Sequence, residues 1–177
     1  MVTKAPGYSK DTQCIKWDQS EHCRTEFREV VPAKWDPNTA SGTHRMHVKL
    51  LGARGKSVCI GQVFQVDNGA NKPFAELYYS SDGTLTMGVA RCKGGVKEDP
   101  QNCQQHMQPL GKVPLNTIFT YDIRFEKGKL WAGINGDVRQ LETHFSTPKA
   151  SFKMGNYNQE TDEASIHVFE FTTEHVN

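Results

Sequence analysis

The sequence predicts an all-β protein, a sandwich or jelly roll, and three observations carry that prediction. Apolar and aromatic residues alternate with polar ones over runs of roughly four to eight residues, the period of a half-buried strand. Turn residues (Gly, Pro, Asn, Asp) separate these runs at regular intervals, as in sandwiches and barrels. No stretch longer than about ten residues keeps a helical period, which confines helix to short connectors.

The strand candidates follow in chain order. RTEFREVV (24–31) alternates charged with apolar residues, and THRMHVKLLG (43–52) does the same over a longer run. SVCIGQVFQV (57–66) is a largely apolar run whose parity is the least decisive of the set. FAELYYS (74–80) and TLTMGVA (84–90) are joined across SSDG (80–83), and FTYDIRFEKG (119–128) and KLWAGIN (129–135) across EKGK (126–129). INGD (134–137) carries the Asn-Gly signal of a tight hairpin. ASFKMGNYNQ (150–159) and SIHVFEFTT (165–173) complete the set, and the polar stretch 92–115 reads as a disulfide-tied loop beside the sheet.

One domain, 1–177, accommodates all of this, since the 177 residues show no repeat, linker or low-complexity segment. With 21 Lys+Arg against 20 Asp+Glu, the net charge of +1 gives no global reason to expect nucleic acid or an anionic membrane. No apolar run approaches the roughly 18 residues that span a bilayer. The opening MVTKAPGYSK is too polar for a signal peptide, so an exported protein would have lost its signal. Cys14 with Cys23 and Cys92 with Cys103 bracket polar stretches where disulfides would staple surface loops, implying an oxidising compartment; five reduced cysteines in a cytosolic protein are the alternative. Cys59, in an apolar run, reads as a buried free thiol. No Cys-x-x-Cys pair suggests zinc or a redox centre, so no metal is expected. Asp67, Asp82, Asp99, Asp137 and Asp162 are scattered, leaving a structural Ca²⁺ allowed but unsupported.

Strand parity gathers charge on chosen faces, because residues two apart share a side. His22, Arg24, Glu26 and Arg28 share one, opposite Cys23, Thr25 and Phe27. Lys153, Gly155, Tyr157 and Gln159 share another, opposite Phe152 and Met154. Gln62 falls with Ile60, Phe64 and Val66. Together these faces can form a sheet surface that binds an acidic chain.

CRTEFRE (23–29), IGQVF (60–64) and SFKMGNYNQ (151–159) resemble, in order, the three signature blocks of alginate-lyase-type polysaccharide lyases: R-[ST]-E-[LV]-R-E, Q-[IV]-H and Y-F-K-A-G-x-Y-N-Q. The resemblance implies a β-jelly roll of two antiparallel sheets whose concave face is the substrate groove. One departure bears on chemistry: Phe64 stands where that family has the His of its second block. Ser151 for Tyr and Met154 for Ala are milder changes. A Gln on the central strand, a His from a different strand and a C-terminal Tyr is the arrangement of the related glucuronan lyases, and this sequence is more similar to it.

The chemistry follows from the residue types. β-Elimination of a uronan requires stabilising the C6 carboxylate so that C5–H becomes acidic, removing that proton and protonating the departing O4. Gln62 and Arg24 can bond the carboxylate. Tyr157 is the candidate proton donor to O4, and either it or His22 the base. His44 is the second choice for base, and Arg28, Lys153, Gln159, Glu26 and His44 are candidate substrate contacts, Glu26 chiefly orienting Arg24 or Arg28. No cofactor is required. H5 and O4 lie on the same side in mannuronate and glucuronate but on opposite sides in guluronate, so one Tyr suits the first two. Lacking the central-strand His, the sequence points to β-glucuronan, cleaved by a secreted, endo-acting, monomeric lyase. Polymannuronate is the runner-up, and a non-catalytic carbohydrate-binding jelly roll the alternative that Phe64 favours. His106, His144, His167 and His175 have no chemical partner in sequence and read as surface residues. Trp17 and Trp35 could stack on sugars, whereas Trp131 reads as packed against a sheet.

Overall fold

The computed structural model describes residues 1–7, 14, 22–39, 41–66, 73–91, 104–144 and 149–176. Twelve strands run through them: β1 (Val2–Ala5), β2 (Arg24–Arg28), β3 (Thr43–Arg54), β4 (Ser57–Gln65), β5 (Pro73–Ser80), β6 (Thr84–Ala90), β7 (Gln105–Lys112), β8 (Phe119–Glu126), β9 (Lys129–Ile134), β10 (Asp137–Gln140), β11 (Ala150–Asn158) and β12 (Ala164–Val176). They form two six-stranded sheets, ordered β1-β12-β3-β8-β9-β10 and β2-β11-β4-β5-β6-β7. Every pairing is antiparallel. This is the jelly-roll sandwich that the alternation predicted. No helix among the described residues is long and apolar enough to cross a membrane.

The core lies between the sheets. Met46, Val48 and Leu50 of β3 and Tyr121, Ile123 and Phe125 of β8 meet Ile60 and Val63 of β4, Leu77 of β5, Met87 of β6, and Phe152 and Met154 of β11. The Tyr121 hydroxyl crosses the layer to donate to the Ile60 carbonyl at 2.7 Å. The predicted turns form at Lys127-Gly128 and Asn135-Gly136, all four residues having positive φ, which matches the twist of the strands they join. A disulfide joins Cys14 to Cys23, Cα atoms 5.6 Å apart, and Cys59 is buried and free, as expected. Cys92, Cys103, Trp17, Asp67 and Asp99 lie outside the described residues.

Three expectations need correction. Residues 105–112, assigned to a loop, form β7, and β1 and β10 went unrecognised. All three are edge strands in the sheet order. An edge strand pairs on one side only and exposes much of its surface, so it lacks the apolar alternation that marks a central strand. Second, the parity of β4 is broken: a register shift between Cys59 and Gly61 turns Ile60 into the core while Gln62 and Phe64 face outward. Third, His44 and Trp35 belong to the interior. Trp35 stacks on His44 at 4.5 Å between centroids, and His44 Nδ1 lies 2.9 Å from His175 Nδ1. His175, read as a surface residue, is bonded to the buried Glu29, which also accepts from the Trp35 indole. His44 is thus a core residue of the opposite sheet, 2% exposed, and cannot contact substrate as a base or otherwise.

Candidate active site

The outer face of the β2-to-β7 sheet collects the residues singled out by parity. In the ladder between β2 and β11, Arg24 stands opposite Tyr157, Glu26 opposite Gly155, and Arg28 opposite Lys153. On the other side of β11, Lys153 stands opposite Gln62 of β4, which in turn faces Glu76 of β5. A band of polar groups therefore runs across four adjacent strands.

At one end of the band, the Arg24 guanidinium lies 5.1 Å from the Tyr157 ring centroid, and the His22 imidazole meets the same ring edge-on at 5.8 Å. Glu26 links this end to the centre: its carboxylate is 3.8 Å from Arg24 and accepts from Gln62 Nε2 at 2.7 Å. Glu26 thereby bridges Arg24 and Gln62. Burial raises the Glu26 carboxyl above its ordinary value, against the pull of Lys153 and Arg24. Lys153 is lowered, mainly by burial, with Glu26 opposing and Arg24 and Arg28 reinforcing. Its ammonium sits 3.4 Å from the Phe64 ring centroid, so the aromatic that replaces the family's His packs against a cation instead of supplying an imidazole. Gln159, at the end of β11, turns its amide to the Tyr157 carbonyl at 3.0 Å.

Tyr157 is held from beneath by two asparagines that point inward. Asn156 Nδ2 donates to the Ala164 carbonyl at 2.9 Å, and Asn158 Nδ2 to the Asp162 carbonyl at 2.7 Å and the Pro6 carbonyl at 3.1 Å. Buried amides are costly unless bonded, so these bonds fix the register of β11 and hence the direction of Tyr157. Sequence reasoning overlooked that positioning role, although the N-Y-N alternation announces it.

It also missed the far half of the band. Glu76 is buried, accepting hydrogen bonds from the Tyr78 hydroxyl and the Gln105 amide. Burial raises its carboxyl, and those hydrogen bonds hold the rise back. Tyr78 is pushed up by burial and then by the neighbouring carboxylate. The signal was present in FAELYYS, where Glu76 and Tyr78 share a parity, but adjacency of β5 to β4 was needed to give it meaning. Trp131 lies on the outer face of the other sheet under Arg124, whose guanidinium is 5.4 Å from its ring.

A family model described as alginate lyase matches residues 2–177. No curated protein matches the chain in sequence. Among solved structures, alginate lyase A1-II′ of polysaccharide lyase family 7 superposes with a TM-score of 0.80 at 22% identity, covering 100% of this chain and 80% of that one. An alginate lyase from Pseudomonas aeruginosa gives 0.73 at 20% identity, over 89% and 77% of the two chains. AlyC3, an alginate lyase solved with dimannuronate, gives 0.76 at 16% identity, over 98% and 73%. At these identities the superpositions establish a shared fold. The match over 2–177 goes further, and with the three signature blocks lying on three neighbouring strands of one sheet, the chain belongs to the alginate lyase family of polysaccharide lyases.

Proposed function

We propose that the protein cleaves a β-linked uronan by β-elimination, with mannuronate-rich alginate as its first substrate and glucuronan as its second. The convergence of Arg24, His22 and Tyr157 at one end of a band that contains Gln62 carries this reading. Arg24 and Gln62 hold the C6 carboxylate, with Glu26 setting their orientation. The base takes H5, the C5–H electron pair becomes the C4=C5 double bond, the C4–O4 bond breaks, and O4 takes a proton. When H5 and O4 are on one side, Tyr157 reaches both, with the Arg24 guanidinium over its ring and His22 at the ring edge. The product is a 4,5-unsaturated uronate at the new non-reducing end.

Family membership and the dimannuronate-bound relative support alginate, which moves it ahead of the glucuronan read from sequence. Glucuronan stays second because Phe64 removes the central-strand imidazole and leaves His22, from a different strand position, as the one beside Tyr157. The elimination needs no cofactor. The Cys14–Cys23 disulfide and a polymeric substrate fit a secreted protein, and an endo-acting monomer fits a band crossing four strands.

The test is to offer polymannuronate, polyguluronate, glucuronan and hyaluronan and follow the ultraviolet absorbance of the conjugated product. Absorbance should rise first with polymannuronate. Binding with no rise on any polymer would overturn the lyase reading in favour of a carbohydrate-binding jelly roll. Tyr157→Phe should lower kcat by roughly 10²- to 10⁴-fold, the range for loss of a general acid–base group; a full rate in that variant would remove Tyr157 from the chemistry.

A further inference from the structure

Two histidines that sequence reading left as surface residues come together where the edges of the two sheets meet. His106 lies on β7, the last strand of the active-site sheet, and His144 follows β10, the last strand of the other. Their rings are 5.4 Å apart with planes inclined at 51°. The Glu142 carboxylate lies against both: one oxygen is 3.4 Å from His106 Nδ1 and the other 3.9 Å from His144 Nδ1. One ligand atom from each residue can be chosen so that all three lie within 4.8 Å of one another.

The backbone beneath is braced. Gln108, two residues along β7 from His106, donates from Nε2 to the Glu142 carbonyl at 3.0 Å and accepts from the Glu142 N–H at 2.9 Å. These two hydrogen bonds hold the 142–144 segment against the strand, so the fold brings the backbones of His106 and His144 side by side. His106 Nδ1 and His144 Nε2 are shielded from solvent yet have no hydrogen-bond partner among the described residues, a cost that a ligand would remove.

We infer that His106, Glu142 and His144 bind a divalent transition-metal ion, with Zn²⁺ as the best-fitting class, and that the ion clamps β7 to the segment after β10. The donor set decides the class. Two imidazoles and one carboxylate match zinc and its neighbours, whereas Ca²⁺ and Mg²⁺ take oxygen ligands almost exclusively. Metal–ligand bonds of about 2.0–2.2 Å in a tetrahedron place ligand atoms about 3.4 Å apart. One pair already has that spacing, a second is at 3.9 Å, and turning the two imidazoles would close the remaining gap around the exposed Glu142 carboxylate. Water would take the fourth position. The ion would lie on the opposite face of β7 from Gln105, which bonds Glu76 in the active-site band, so it would stiffen the far wall without touching substrate. The inference is independent of the lyase reading.

The test uses untagged protein freed of metal by chelation. Calorimetric titration should show one Zn²⁺ per chain, with Ca²⁺ giving no binding heat. Zn²⁺ at about 100-fold above its Kd should raise Tm by about 5–10 °C. His106→Ala and His144→Ala should each weaken Zn²⁺ binding roughly 100-fold and abolish the rise, while the control His167→Ala, on β12 outside the cluster, leaves both intact. Co²⁺ bound in place of zinc should give the visible spectrum of a tetrahedral site, lost in both variants. Should either variant fold poorly, Glu142→Gln read by the same Co²⁺ spectrum replaces it. Binding that survives His106→Ala and His144→Ala, or no stoichiometric binding at all, would overturn the inference.

Discussion

His22 and His44 separate catalysis from folding. His22 meets the Tyr157 ring on the active-site face, so His22→Ala should lower kcat roughly 100-fold with little change in Tm. His44 is sandwiched against Trp35 and bonded to His175 and the Asp36 carbonyl. His44→Ala should cost about 2–4 kcal/mol in a chemical melt and leave the folded enzyme's kcat unchanged. The opposite split would return His44 to the mechanism. Glu76 supplies a pH signature at the same scale. Its folded-state carboxyl is raised above its ordinary value by burial. Its stabilising contribution is therefore complete below the unfolded pKa and fades as pH rises through the folded one. Glu76→Gln, which does not ionise, should match the wild type in Tm at acidic pH and exceed it at alkaline pH. Because the ionised carboxylate also repels a uronan, the same variant should flatten any rise of KM with pH. Equal Tm profiles for both proteins would show that folding does not shift the Glu76 carboxyl.

The strands explain what was legible and what was not. Central strands, buried on one or both faces, announced themselves through alternation, and parity placed Arg24, Glu26, Lys153 and Tyr157 together because β2 and β11 pair without a bulge. β4 defeated the same logic at Gly61, where the register shifts. A Cβ added there would stand 2.8 Å from the Tyr121 hydroxyl, the group that bonds the Ile60 carbonyl across the core. The bulge that turns Gln62 to the outer face thus depends on a missing side chain. Gly61→Ala should destabilise by about 1–3 kcal/mol and reduce activity through Gln62. Tyr121→Phe removes the crowding oxygen, so the double variant should be less destabilised than the sum of the singles. Strict additivity would mean that the bulge absorbs the methyl elsewhere. His106 and His144 were illegible for a related reason: their partnership arises between an edge strand of one sheet and the segment after the edge strand of the other, which no local pattern records.

The whole molecule is nearly neutral, at +1, yet it presents a polyanion with Arg24, Arg28 and Lys153 on adjacent strands of one face. Several opposing acids are paired outside that band: Asp122 with Arg45 and His47, Asp162 with Lys56, Asp82 with Lys112 and Thr84. Glu26 and Glu76 remain on the face, outnumbered by the three cations, and burial biases both toward the neutral form as it does Lys153. Attraction for a uronate chain should then be short-ranged, since the net charge projects almost no field beyond a Debye length. Raising salt from about 0.1 M to about 1 M shrinks that length from about 10 Å to about 3 Å. The face should lose its hold over approaching sugars while groups already in contact keep theirs. KM for a uronan should therefore rise several-fold across that range, with kcat nearly constant. Lys153→Met, which keeps the packing on Phe64 and removes the charge, should raise KM at low salt and reduce the salt dependence. A KM indifferent to salt in the wild type would mean that hydrogen bonds and shape hold the chain, and that the clustering of these three cations is not what binds it.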